Sequence, residues 1–337
     1  MVVAAKRPSN LRPELAAFEE LDVDMNQRGY VGAAIMRPFN VGVASDTFPV
    51  VKLKSLLANA NADTRRQADG SYAEGDYEFD ERLYRTKEHG WKEPVDDRLA
   101  NMYGSVLDVE KYATMRAWAH VLSGLEFRVV KLITTPGEVT QHGEALGDIG
   151  TNASDKVWTD PAADIIGAVR QAADDIWART GVWAQTLTVS RRTFHAMRDN
   201  AGILAKIQSA GAGERTLPRD VTLAKMAEAL DLDRVVASDS VTNTANRAKK
   251  ATIASMFPDN KAFLGRTAET DDPQEPCFGR IMHWGGDGSV LSDDLATIGV
   301  VDRYRDEDRR RDLIRVRNET DEHIVIPEMG QVITGVR

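Results

Sequence analysis

With 337 residues, 42% hydrophobic and 28% charged, the chain has enough apolar mass for one large core or two medium ones, and no biased or repeated tract marks it as disordered. A net charge of -9, from 52 acidic against 43 basic residues, argues against tight nucleic-acid binding, which draws on Lys and Arg neutralising phosphates. The single cysteine, Cys277, excludes an intramolecular disulfide, a Cys-based zinc finger and an iron-sulfur cluster held within one chain, leaving it the part of a small buried or half-buried hydrophobe.

The N-terminal MVVAAKRPSNLRPELAAF lacks the apolar run of a signal peptide, and no segment approaches the about 18 apolar residues of a membrane span. The expectation is a protein folded in a reducing cytoplasm, without a membrane partner. Residues 1–40, with short apolar patches such as Leu15 to Leu21 punctuated by Pro8, Pro13, Gly29, Gly32 and Pro38, read as an arm holding at most one short helix. Two strands follow, Phe48 to Leu53 and Tyr77 to Tyr84, around a polar tip. A two-stranded ribbon is marginal alone in water, so it is expected to protrude and lie on something else.

Pro94 suits a first helical turn, with Asp96 and Asp97 close behind. Met102, Val106, Val109 and Ala113 form one apolar stripe, and Met115, Trp118, Leu122, Leu125, Val129 and Leu132 continue it with a phase shift near Ala113. Up to about 38 residues before Pro136 fit one helix, a rod of about 57 Å. Gly137 to Asp155 reads as a connector. An α/β block is expected next. Its helices are Pro161 to Arg179 (Ile165, Val169, Ala172 and Ile176 inward), Arg191 to Asp199, Ile203 to Gln208 and Leu223 to Leu230. Its strands are Trp183 to Val189, Arg234 to Ala237, Thr252 to Met256 and Ala262 to Leu264. Beyond Pro276 only strands are expected: Phe278 to Trp284, Ala296 to Asp302, Asp312 to Asn318, His323 to Ile326 and Gln331 to Thr334. They suggest a separate sheet that the long helix covers.

Motifs for chemistry are sparse. His89, His120, His142, His195, His283 and His323 are scattered, without metal-ligand spacing. Ser289 is not in a nucleophile elbow, and GAGERT at Gly211 to Thr216 lacks a P-loop lysine. Gly285, Gly286 and Gly288 read as a hairpin turn with positive φ. Acidic pairs such as Asp174-Asp175, Asp271-Asp272 and Asp293-Asp294 read as solvated faces. The run from Arg303 to Asp312 mixes both signs, which favours an inter-strand loop or an ionic subunit contact over a nucleic-acid patch. At TLTVSRRTFHAMR, 186–198, a strand feeds a helix. Ser190 can cap there while Leu187, Val189, Phe194 and Met197 point inward, so the junction builds shape. No catalytic, cofactor-binding or metal residue is assigned, no cofactor is implied, and no enzymatic activity is expected.

Three stretches carry a resemblance. YEFDERLYRTKEHGWKEPVDDR (77–98) looks like the return strand of an extended loop running into a spine helix. TGVWAQTLTVSRRTFHAMRDNAGILAKI, LAKMAEALDLDRVVASDSVTNTAN and ATIASMFPDNKAFLG follow as one series, and DLIRVRNETDEHIVIPEMGQVITGV (312–336) closes the chain. Together they resemble the major capsid proteins of tailed bacteriophages, the HK97-like fold, from about residue 41 onward. The resemblance implies an α+β fold with an N-terminal arm (1–40), an extended β-hairpin loop (41–91), a β-rich peripheral domain with the spine helix (92–155 and 276–337) and an α/β axial domain (156–275). It implies a shell of pentamers and hexamers around a phage genome, located in the virion and assembled in the host cytoplasm. Implied partners are copies of itself, a separate scaffolding protein, a decoration protein, a portal and double-stranded DNA contacted non-specifically. Lys52 and Lys54 lie in the loop, but no crosslinking role is assigned to them. The ribbon tip, Ala58 to Gly75, is expected to vary most between copies. The alternatives are an encapsulin-type compartment shell and an α/β enzyme without a recognised motif.

Overall fold

The computed structural model describes residues 10–11, 29–51, 70, 79–103, 108–134, 140–141, 144–145, 149–210, 217–245, 249–286, 290–291 and 298–337. The apolar patch Leu15 to Leu21 and most of the ribbon tip lie outside them, and the one short helix expected in 1–40 is matched by Gly32–Ile35 among the described residues.

Two sheets organise the chain. The larger has seven strands built on the 14-residue strand Arg311–Ile324. That strand pairs antiparallel with Ile298–Asp306 and with Lys87–Asp96, and its last residues pair with Gly279–Trp284, which in turn lies parallel to Arg37–Val41. Asn10–Leu11 and Val290–Leu291 pair with Ile298–Asp306. The 26-residue helix Val109–Thr134, about 39 Å long, packs across this sheet. Its inward residues Ala117, Trp118, Val121, Leu122, Leu125, Val129 and Ile133 join Ile281, Ile314, Val316 and Phe278 in one core.

The smaller sheet runs Arg234–Ser238, Thr186–Ser190, Lys261–Gly265, Gly330–Thr334, Gly150–Ala153. Its first two strands are parallel, because the helices Arg191–Arg198, Ala201–Ala210 and Leu223–Ala229 provide the crossover between them. Helix Ile165–Thr180 starts at Asp164, whose side chain accepts from the Gly167 amide, and its residues Ile165, Val169, Ala172 and Ile176 are buried as the stripe predicted. Every residue of Thr186–Ser190 is buried, so the Thr face is covered as fully as the Leu187/Val189 face. Ser190 caps the following helix by accepting from the Thr193 amide, and Phe194 and Met197 pack inward.

Four expectations are corrected. Pro94 lies in a strand opposite Leu313, and the helix begins only at Asp97. Among the described residues that strand pairs only with Arg311–Thr320, and an edge position needs no N–H from proline. The single rod is instead two helices, Asp97–Tyr103 and Val109–Thr134, and Met102 is 55% exposed rather than part of the buried stripe. The two expected strands at 312–318 and 323–326 are one, because the polar residues between them are satisfied in place: Glu322 and Thr320 are buried against Arg128. The last strand, Gly330–Thr334, leaves its neighbours in sequence and pairs with Lys261–Gly265 in the smaller sheet.

Candidate assembly surfaces

The ribbon is the strand pair Ser45–Val51 and Phe79–Arg85. Alternation divides it into two faces. Phe48, Arg82 and Tyr84 turn inward: Phe48 meets His323 edge to face, Arg82 donates to the Ile324 carbonyl, and the Tyr84 hydroxyl donates to the Val43 carbonyl. The base of the ribbon therefore rests on its own body, and the Arg85 amide donates to Asp321. The opposite face carries Phe79 and Leu83, 52% and 44% exposed. Among the described residues no other layer covers these two side chains on that face of the ribbon.

The long helix also has an uncovered face. Tyr112 and Phe127 are 50% and 55% exposed, with Arg116 and His120 between them at helical spacing. Trp91 of the neighbouring edge strand stacks on His120 with ring centroids 4.2 Å apart and donates from Nε1 to Glu93, which also pairs with Arg116. A second exposed aromatic pair, Trp177 and Trp183, stacks beside the smaller sheet at 5.7 Å. The sequence reading placed Trp183 in a strand; it lies just before one, in the open.

The mixed-charge run builds a hairpin. Strands Ile298–Asp306 and Arg311–Ile324 meet at a turn where Arg310 takes a φ of 47°. Arg305 grips Asp97 with two hydrogen bonds, Arg303 pairs with Glu110 and Asp312, and Arg315 and Arg317 converge on Asp302. These arginines are engaged within the chain, and the inter-strand reading holds. The hydrogen bonds from Arg305 hold the Asp97 carboxyl below its ordinary range.

The histidines do not converge. His283 is buried beside Asn40, its Nδ1 3.0 Å from Oδ1. His89 is half-buried and pushed below its usual range by desolvation first and the Arg128 charge second. His195 is exposed, and His142 lies outside the described residues. No group of three or more His, Cys, Asp or Glu among the described residues could hold a metal ion, and no described helix is long and apolar enough to cross a membrane. Cys277 is fully buried, and that burial raises its thiol pKa. Gly285 and Gly286 do not take the expected positive φ. Gly286 is required for another reason: a Cβ there would fall 2.1 Å from the Trp284 ring. Gly288 and Ser289 lie outside the described residues.

Among the buried ionisable groups that sequence reasoning missed is Glu126, four residues beyond Leu122 and three before Val129 on the inward stripe of the long helix. A carboxylate at that spacing was the signal.

No family model matches the sequence, and no curated protein matches it. Solved structures do. A phage-related protein from Bordetella bronchiseptica aligns at a TM-score of 0.65 and 14% identity, over 98% of this chain and 99% of that one. A virus-like particle from Pyrococcus furiosus aligns at 0.55 and 12%, over 95% and 98%, and the capsid of cyanophage P-SCSP1u at 0.55 and 10%, over 99% and 90%. Across nearly its whole length the chain has the fold these particle structures share, the HK97-like capsid fold.

Proposed function

We propose that the protein is the major capsid protein of a tailed phage, assembling through copies of itself into an icosahedral shell around the genome. The observation that carries the reading is a match in fold to particle-forming proteins over 95% and 99% of this chain. The bare outer face of the ribbon and the bare stripe of the long helix support it. Both expose large apolar side chains that a closed, symmetric assembly covers on every copy at once. On this reading residues 1–40 are the arm, 41–91 the extended loop, 92–155 with 276–337 the peripheral domain and 156–275 the axial domain.

The same reading makes the role structural rather than enzymatic and places the protein in the virion, assembled in the host cytoplasm. Its partners are sister subunits in pentamers and hexamers, a separate scaffolding protein, a decoration protein, the portal and non-specifically contacted double-stranded DNA. The net charge of -9 fits a wall that encloses DNA without gripping it. Electron microscopy of the purified full chain tests the proposal, with and without a co-expressed scaffolding protein. Closed particles tens of nanometres across support it, and a discrete monomer or dimer under both conditions overturns it.

A further inference from the structure

The short arm helix Gly32–Ile35 is clamped at both ends. At its start, the Val31 and Gly32 amides donate to the two carboxylate oxygens of Glu126, at 2.9 and 2.7 Å. At its end, Arg234 of the smaller sheet donates to the Ala34 carbonyl at 2.8 Å. Just before it, the Asp239 amide donates to the Gly29 carbonyl. Val31, Ile35 and Met36 are buried in the core of the larger sheet. A Cβ on Gly32 would sit 2.9 Å from Glu126 Oε2, so any other residue there pushes the carboxylate from its present place. One carboxyl group thus joins three separate parts of the chain: the arm, the long helix and, through Ser240, the segment leaving the smaller sheet.

We propose that Glu126 is a protonation latch for the N-terminal arm: with its carboxyl neutral the arm stays docked on the long helix, and ionisation loosens it. Glu126 is 2% exposed. Among the described residues no cation is directed at it. On its own helix, Arg128 is held by Glu322 and Thr320, and Lys131 is exposed. On the arm, Arg37 pairs with Asp271, and Tyr30 is partly buried. From the smaller sheet, Arg234 is spent on Ala34, and Asp239 faces Arg191. A buried carboxylate served by amides and a hydroxyl alone keeps most of its desolvation cost. The neutral form fits the same cage. One oxygen still accepts from Gly32, while the hydroxyl accepts from Val31 and can donate to Ser240 Oγ, already paired with Ser238 Oγ.

Burial accordingly pushes the carboxyl up to about 7 from 4.5, against the lowering effect of its three hydrogen bonds. The sign follows from linkage. The docked form binds the proton more tightly than an undocked form with Glu126 in water, so docking is strongest below the ordinary glutamate range and weakens as pH rises through about 7.

The test is hydrogen exchange of the full chain between about pH 5 and 8, corrected for intrinsic rates, reading residues 29–36 against the core strand Thr186–Ser190. The expected result is a loss of protection in 29–36 of roughly 70-fold over that range, absent from the core strand and abolished in Glu126→Gln. Parallel behaviour of the two segments, or a Glu126→Gln variant that keeps the wild-type pH dependence, overturns the latch. Should that variant fail to fold, Ser240→Ala decides. Ser240 Oγ donates to the charged form and accepts from the neutral one, so removing it must change the pH course of protection in 29–36, and a midpoint and amplitude both unchanged contradict the proposal.

Discussion

Arg128 donates from Nε and Nη2 to the two oxygens of Glu322, each at 2.8 Å, where the long helix crosses the central strand. Glu322 is buried, so truncating its partner strands a charge rather than merely losing a surface pair. Arg128→Ala is expected to lower stability by roughly 3 kcal/mol, read as a lower urea midpoint at unchanged slope. Asp97 works the other way in pH. Its hydrogen bonds with Arg305 hold it below the ordinary carboxylate range, so its contribution is present above that range and lost as pH falls through the folded value. Acidification from pH 6 to 3 should destabilise the wild type more than Asp97→Asn, and an equal loss in both contradicts that role. Residues whose surroundings are set by short-range pattern were legible in the sequence: Ser190 as a cap, Cys277 as a buried hydrophobe, Phe194 and Met197 facing inward. Glu126 was not, because its partners Val31 and Gly32 lie 95 and 94 residues away.

Periodicity found most elements, and tertiary pairing decided the ones it misassigned. The helix from Ile165 and the strand Thr186–Ser190 each show one clean period, whereas Pro94 reads equally as a helix start or an edge-strand residue until the partner Arg311–Ile324 is known. The tail strands were found singly, yet nothing local distinguishes Gly330–Thr334, which joins the other sheet. At this scale packing energetics can be read directly. Leu125→Ala, under the long helix, should cost about 2–5 kcal/mol in thermal or urea unfolding. Leu83→Glu, on the outer face of the ribbon, should leave the far-ultraviolet spectrum and urea midpoint unchanged while sharply reducing the yield of assembled particles. A normal particle yield from that variant would remove the ribbon face from the assembly account.

Among the described residues of the whole molecule, the exposed large apolar side chains are spread over several elements. Phe79 and Leu83 lie on the ribbon, Tyr112 and Phe127 on the long helix, Trp177 and Trp183 beside the smaller sheet. A single dimer contact covers one region; a shell, in which every copy meets several neighbours, covers several. The expectation that the ribbon stands wholly free of its own body was too strong, since its inner face anchors at Ile324 and His323. On the proposed function, what is left for sister molecules is the outer face. Oxidative footprinting of purified particles against the dissociated chain measures this directly. The account predicts that Phe79, Leu83, Tyr112 and Phe127 become protected on assembly while buried Trp118 is unchanged; particles in which those four side chains stay as reactive as in the free chain would contradict it.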